Sequence, residues 1–351
     1  FKSEFAKNIK IKKFINFEKR MMSLKGKKVL IDKNFSTQKI YDLLNKAGAK
    51  INISDDPIIT KRAIKNETEA DNIRLAHVKD GAALVKFFHY LSQQLKQKKY
   101  IDELQVADKL IELRKKNKNY FSTSFDTIAG FNANGAIIHY RANEKTNRQI
   151  KGNGILLVDS GAQYYEGTTD VTRTVAIGKS NATQKKTFTL VLKGHINLAK
   201  QKFLKGTSGA QLDILARQFL WNNGLDYKHG TGHGVGYFLN VHEGPHGISK
   251  YNSTPLQAGM VISNEPGYYE VDEYGIRIEA LVIVKNSINK EFLEFETLTK
   301  CFIDRDLIDS KLLNNEEKDW LNKYHAQVFN ELKEYMNKDE LKFLKEKTRK
   351  I

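Results

Sequence analysis

Residues 154–177 read GILLVDSGAQYYEGTTDVTRTVAI, and the two carboxylates set into its apolar runs decide how the chain is read. Asp159 closes the run 155–158, and Asp170 opens a second run that continues to residue 177, with Gly161 and Gly167 in the connection. Apolar runs of this length bounded by glycines read as a β-hairpin. Opposed side chains on paired antiparallel strands share a face, with Cβ atoms about 4.5–5.5 Å apart. One carboxylate from each strand can therefore reach the same ion or bridge two. The register stays open, because the glycines permit a bulge.

Three further residues belong with this pair: His233 in HGTGHGVG, Glu265 in VISNEPGYY and Glu279 in YGIRIEALVIV. In the last segment Arg277 and Glu279 share one strand face at period 2, and Ile276, Ile278 and Ala280 take the other. A carboxylate inside so apolar a strand is costly unless it is paired or metal-bound. Each residue alone has a plainer reading: a turn-forming Asp, a loop His, a Glu before Pro266 and Gly267 that starts a turn, a Glu279 bridged to Arg277. All of these would have to hold together, whereas four carboxylates and one imidazole form a ligand inventory for two hard or borderline divalent cations. His229 and His233 have the i, i+4 spacing of helical zinc sites. Gly230, Thr231 and Gly232 disfavour a helix, however, and no Glu follows His229, so a zincin is not indicated.

The 351 residues, 40% hydrophobic, fit a soluble globular protein with one large domain plus part of another, or two of ordinary size. No apolar run reaches the ~18 residues of a membrane span. A net charge of +17 raises the question of nucleic acid. The cations are mostly lysines spread through amphipathic helices and the C-terminal tail, which reads as a solvated surface with no nucleic-acid partner. Cys301 is the single cysteine, so no intrachain disulfide forms, and a reducing, cytoplasmic setting is expected. The chain begins with Phe1 rather than Met, which leaves targeting open.

Residues 1–55 contain KKVLID, a helix from about Ser36 that stops before Gly48, and KINIS: one β-α-β unit, too small to stand alone. Asp55, Asp56 and Pro57 mark a boundary. A capping-box pattern, Asn66 to Glu69, opens a long helix to about Gln97, and a second runs from 102 to 116. Strand-like segments then reach Tyr140 and the Asp159/Asp170 hairpin follows. Helices at 183–203 and 208–222 precede the His233 loop. From about Asn314 the tail is helical and charged, with no arrangement of catalytic residue types, and suits surface or dimer packing.

The ordered strings GAIIHY (135–140), VDSGAQYYEGTTDVTRT (158–174), VLKGHI (191–196), GLDYKHGTGHGVGYFLNVHEGPHGIS (224–249), AGMVISNEPGYYE (258–270) and GIRIEALVIV (275–284) resemble the M24 "pita-bread" metallopeptidases, and among them the large three-domain X-Pro aminopeptidases (aminopeptidase P). The resemblance runs from about residue 56 to near the C-terminus and departs from the family at no ligand position. It implies an α+β fold, with a pita-bread domain at 56–351 whose pseudo-twofold halves enclose the site, including a helical extension from about 314. Residues 1–55 would be the closing part of a creatinase-like N-terminal domain. It implies that Asp159 binds one metal, that Asp170 and Glu279 bridge both, and that His233 and Glu265 complete the second. His139, His229 and His242 would line the substrate site, and His229, Tyr269 and Arg277 would enclose a proline ring.

The expected reaction is hydrolysis of the bond between an N-terminal residue and a following proline by a hydroxide activated by two metals. Glu265 would take the water proton, His242 would donate to the oxyanion, and His139 would orient the peptide. An oxygen-rich ligand set with one His favours manganese, with zinc or cobalt as alternatives. The partners are peptides with proline in second position and a second copy in a homodimer. A prolidase or methionine aminopeptidase, and a non-catalytic pita-bread module that binds peptides, remain as alternatives. His77, His89, His195, His246 and His325 read as structural.

Overall fold

The computed structural model describes residues 11–351, and the chain divides after Lys61 into two compact units. In the first, α1 (Phe17–Met22) is followed by β1 (Lys28–Ile31), α2 (Gln38–Ala47) and β2 (Lys50–Ile53). β1 and β2 are parallel, with Lys28 opposite Lys50, which requires a crossover such as α2. Gly48 ends α2 in the left-handed conformation at φ 74°, where glycine has no Cβ penalty. α3 (Pro57–Ala63) spans the division.

The second unit runs twice through the order two helices, then an antiparallel sheet. The first pass is α4 (Glu67–Lys96), α5 (Glu103–Lys115), β3 (Tyr120–Thr123), β4 (Ile128–Phe131), β5 (Gly154–Ser160), β6 (Ala162–Tyr164), β7 (Gly167–Thr168) and β8 (Val171–Ile177). The second is α6 (Ala182–Ala199), β9 (Lys202–Leu204), α7 (Gly209–Trp221), β10 (Gly232–His233), β11 (Gly247–Ile248), β12 (Val261–Asn264), β13 (Gly267–Glu270), β14 (Tyr274–Arg277), β15 (Ala280–Asn286) and β16 (Phe292–Thr297). Strands order as β4-β5-β8 in the first and β12-β15-β16-β9 in the second. α8 (Asn315–Leu332) and α9 (Lys338–Lys347) close the chain.

The Asn66–Glu69 capping box forms as read, with each side chain bonded to the other's backbone N–H, which satisfies two orphan donors at the start of α4. The same device starts α5, α6, α8 and α9. The main core joins Phe87 and Phe88 of α4, Ile155 and Leu156 of β5, Phe188 of α6, Ile276 of β14, Phe302, and Leu321 of α8. The tail from Asn314 is thus part of the core. Among the described residues no helix is long and apolar enough to cross a membrane.

Four expectations need correction. The β5–β8 pairing is antiparallel, but its connection folds back as β6 and β7, and β6 pairs with β3. Asp159 therefore faces Thr172, and Asp170 lies just before β8. Strands do not continue to Tyr140: after β4 the chain takes a 3₁₀ turn, Asn132–Ala136, which Asn132 enters at φ 52°. The helix expected to reach 203 ends at Ala199, because residues 202–204 pair with β16 as the sheet's outer strand. The segment carrying Arg277 and Glu279 is two strands: β14 pairs with β13, and β15 with β12 and β16. Gly275 abuts the 3₁₀ turn so closely that a Cβ there would lie 1.7 Å from the Gly135 carbonyl oxygen, so only glycine fits.

Candidate metal centre

Ile278 and Glu279 cross from β14 to β15, and the hydroxyls of β8 fasten that crossing. Thr174 Oγ1 donates to the Arg277 carbonyl (3.0 Å) and accepts from the Arg277 N–H (3.1 Å), and the Glu279 N–H reaches the Thr172 carbonyl (3.2 Å). Thr172 Oγ1 donates to Glu279 Oε2 (2.7 Å) and accepts from Arg277 Nε (3.0 Å). One threonine thus aims both a carboxylate and a guanidinium.

His233 sits on β10, paired with Gly247 of β11. A Cβ on its neighbour Gly232 would fall 1.9 Å from the Ser263 carbonyl oxygen, so glycine lets β10 press against β12. Ser263 Oγ accepts the His233 N–H (2.8 Å) and donates to Glu265 Oε1 (3.1 Å). The His233 Nδ1–H points at the Gly234 carbonyl (3.0 Å), since a carbonyl can only accept. Nε2 is left facing Asp170 Oδ2 at 3.4 Å and Glu265 Oε1 at 3.5 Å.

Donor atoms of Asp170, His233 and Glu279 all lie within 4.8 Å of one another. Glu265 adjoins this group through His233. Asp159 is held by Arg277 Nη2 at 2.6 Å through Oδ2, while its Oδ1 is buried without a protein partner. Arg277 Nη1 continues to the Tyr269 hydroxyl (2.6 Å), which meets His229 Nε2 (2.9 Å). Because the His229 Nδ1–H donates to the Gly230 carbonyl (2.7 Å), Nε2 is the acceptor from tyrosine.

Burial drives the Glu279 carboxyl well above the usual range, with Asp170, Glu265 and Asp159 adding repulsion. Burial likewise raises Asp159, against the pull of Arg277. It takes Glu265 to about 7, against His233 and Arg277. For His233, burial works downward but is outweighed by Asp170 and Glu265, and the ring rises to about 9. Carboxylates crowded in this way want cations. The unpartnered Asp159 Oδ1 and the committed Nδ1 of His233 show that the donors present suit divalent ions.

Asp159, Asp170, His229, His233, His242, Glu265, Arg277 and Glu279 line one cavity of ≈370 Å³ together with His139. His139 is exposed in the turn after the 3₁₀ segment. His242 is open to solvent on one side, its ring 4.1 Å from that of His233, and partial desolvation of the ring, with His233 alongside, lowers its pKa. Next to it, Glu243 is buried and paired with Lys65 at 3.3 Å and Arg62 at 3.1 Å. Tyr269 holds His229 and Arg277 rather than forming cavity wall.

Of the histidines read as structural, His77, His195 and His246 bond to the backbone oxygens of Ile73, Asn264 and Val261. His325 Nε2 accepts the Ile303 N–H, and His89 pairs with Gln93. Thr172 and Ser263 were not foreseen. Each lies two positions from a ligand candidate (Asp170, Glu265), the period-2 spacing that puts strand neighbours on one face.

The sequence profile of metallopeptidase family M24 matches residues 71–286, and that of the C-terminal region of peptidase M24 matches residues 291–351. A probable Xaa-Pro aminopeptidase P of Botryotinia fuckeliana is 50% identical over 303 residues, 84% of this chain and 46% of that protein. The crystal structure of X-prolyl aminopeptidase from Caenorhabditis elegans, described as a cytosolic enzyme with a di-nuclear active site, superposes with a TM-score of 0.92. It is 38% identical, and the match covers 98% of this chain and 58% of that one. Prolidase from Pyrococcus furiosus superposes with a TM-score of 0.67 at 27% identity, covering 83% and 81%. The chain spans about half the length of the curated relatives it matches. With the family profile covering most of its length and the ligand-type residues gathered in one cavity, the chain belongs to metallopeptidase family M24.

Proposed function

We propose that the protein is a metallo-aminopeptidase that removes the N-terminal residue from peptides with proline in second position. The observation that carries this is one cavity lined by Asp159, Asp170, His233, Glu265 and Glu279 together with His139, His229, His242 and Arg277. Asp170, His233, Glu279, Glu265 and Asp159 are the residues that would hold two divalent ions, manganese by donor chemistry. When bound, such ions lower the pKa of a water and polarise a carbonyl.

The chain's own residues supply the rest. Glu265, kept in place by Ser263, accepts the proton of the attacking water. His242, at the cavity edge, donates a hydrogen bond to the oxygen of the scissile carbonyl as charge gathers there. His139 orients the incoming peptide. Arg277 and His229, locked together through Tyr269, make a rigid wall against a compact ring. The tertiary amide before proline has no N–H, so no acceptor is needed opposite it.

X-Pro aminopeptidase is favoured over prolidase by the extent of the likeness. The superposition on the C. elegans enzyme covers 98% of the chain with a TM-score of 0.92, against 83% and 0.67 for the prolidase. The same reading makes the active form a cytoplasmic homodimer without nucleic-acid partners, and assigns residues 1–55 to the end of a preceding creatinase-like domain. Mass spectrometry of Arg-Pro-Pro incubated with manganese-loaded protein tests it. Free arginine and Pro-Pro are expected, and release of Arg-Pro or an intact peptide contradicts it.

A further inference from the structure

Arg173 of β8 is 2% exposed and makes no ion pair among the described residues. Its guanidinium reaches only neutral acceptors: Nε donates to the Phe302 carbonyl (2.8 Å), Nη1 to the carbonyls of Thr172 (2.9 Å) and Glu279 (2.5 Å), and Nη2 to the Cys301 carbonyl and the Tyr324 hydroxyl (2.8 Å each). Burying a charge with no counter-charge is expensive, so a side chain that only filled space would be apolar here. All three nitrogens are used, which the fork of arginine allows and the single ammonium of lysine does not.

Two of those acceptors belong to the site. Thr172 sends its hydroxyl to the Glu279 carboxylate, and the Glu279 carbonyl is itself gripped by Arg173. Glu279 lies in the crossing between β14 and β15, outside both ladders. The remaining three acceptors lie in the C-terminal region. The Tyr324 hydroxyl, on α8, accepts from Arg173 and from the Cys301 N–H (3.4 Å), and faces the carbonyls of Cys301 (2.7 Å) and Thr299 (3.0 Å). Tyr324 is itself buried and stacked on Trp320 with ring centroids 5.4 Å apart.

We propose that Arg173 and Tyr324 are positioning residues for the metal centre, through which the C-terminal region fixes the backbone of Glu279. Removing the Tyr324 hydroxyl takes away one of the two acceptors of Nη2 and leaves it the Cys301 carbonyl alone, and the crossing that aims Glu279 then loosens. This gives the C-terminal region a part in the site, although none of its side chains lines the cavity. The inference rests on the metal-binding reading above.

Calorimetric titration of manganese chloride into metal-stripped full chain tests both, using the native protein, Tyr324→Phe, Arg173→Lys and Val328→Ala. Val328 is a fully buried core residue of α8 and is not among the partners of Arg173. Loss of an outer-shell partner lowers metal affinity about 10–100-fold. About 10-fold is expected for Tyr324→Phe and up to about 100-fold for Arg173→Lys. On an X-Pro peptide at saturating manganese, kcat should fall with KM nearly unchanged. Val328→Ala should lower the melting temperature and leave manganese affinity as in the native protein. If Arg173→Lys does not fold, Tyr324→Phe alone decides. Native affinity in folded Tyr324→Phe overturns the inference and spares the metal reading. Equal weakening in Val328→Ala also overturns it, since any loosening of α8 would then suffice. Absence of manganese binding to the native chain removes both.

Discussion

Arg277 holds Asp159 by one carboxylate oxygen, Nη2 to Oδ2 at 2.6 Å, and leaves Oδ1 buried with no protein partner. A buried carboxylate oxygen left without a partner costs about 1–3 kcal/mol, so the protein groups around Asp159 leave Oδ1 placed for a cation. Arg277 thereby links the proposed proline wall to the proposed ligand set, because the same guanidinium also bonds Tyr269.

Glu279→Gln and Asp170→Ala should abolish turnover while leaving the protein folded. Without metal, Glu279→Gln should melt no lower than the native chain, because burial, with repulsion from Asp170, Glu265 and Asp159, already pushes this carboxyl towards its neutral form, which the amide resembles. Manganese at about 100 times its Kd stabilises a binding-competent fold by about 2.7 kcal/mol; the native chain should show that rise and the variants should not. Thermal melts with and without manganese, run beside turnover, make the comparison. Near-normal turnover in either variant refutes the assignment.

Gly232→Ala should damage the centre without touching a ligand. The new Cβ would lie 1.9 Å from the Ser263 carbonyl oxygen, so β10 must move away from β12 and draw His233 from Ser263 and Glu265. Overpacking of this kind costs about 1–3 kcal/mol. A lower melting temperature together with weaker manganese binding is expected in calorimetry, and native values for both would contradict the close approach.

Tyr269→Phe removes the hydroxyl that bonds His229 Nε2 and Arg277 Nη1. A hydrogen bond to a charged group contributes about 1.5–3 kcal/mol, so kcat/KM on an X-Pro peptide should fall about 10–100-fold. Metal content by elemental analysis should stay near native. Loss of metal with an unchanged preference for proline would show that Tyr269 serves the ligands instead.

His325 supplies a pH dependence away from the site. Burial, with Arg173 and Arg305 nearby, pushes its ring down to about 3, and its Nε2 accepts the Ile303 N–H. The folded value lies below the unfolded one of about 6.5, so the unfolded chain binds the proton first. The stabilisation is complete above pH 6.5 and is lost as pH falls from there towards 3. At pH 5 the loss from this one group is about 2 kcal/mol. The drop in melting temperature between pH 7 and pH 5 should shrink in His325→Gln, and an unaltered drop would contradict the buried neutral ring.

The ligand-type residues were legible because the carboxylates stand in or beside apolar runs and all five fall in distinctive strings. The long helices were legible through caps such as Asn66–Glu69. Pairing details were not. Gly161 and Gly167 announce a turn but not the β6–β7 excursion that sets Asp159 opposite Thr172. Nothing at residues 199–204 breaks a helix, so only pairing with β16 reveals β9. The break after Arg277 shows only in the pairing, β14 with β13 and β15 with β12 and β16, which joins residues far apart in the chain. Hydroxyls such as Thr172 and Ser263 are too common at strand positions to stand out before the fold assembles them.

The most direct measurement compares manganese-loaded protein on three matched substrates: Arg-Pro-Pro, Arg-Ala-Pro and the dipeptide Arg-Pro, with release of free arginine followed for each. Cleavage of Arg-Pro-Pro far faster than of Arg-Ala-Pro, with the dipeptide poorest, is the expected result, and chelation should abolish it. Equal rates on the first two would defeat proline selectivity and leave a general family M24 aminopeptidase, while preference for the dipeptide would make the protein a prolidase.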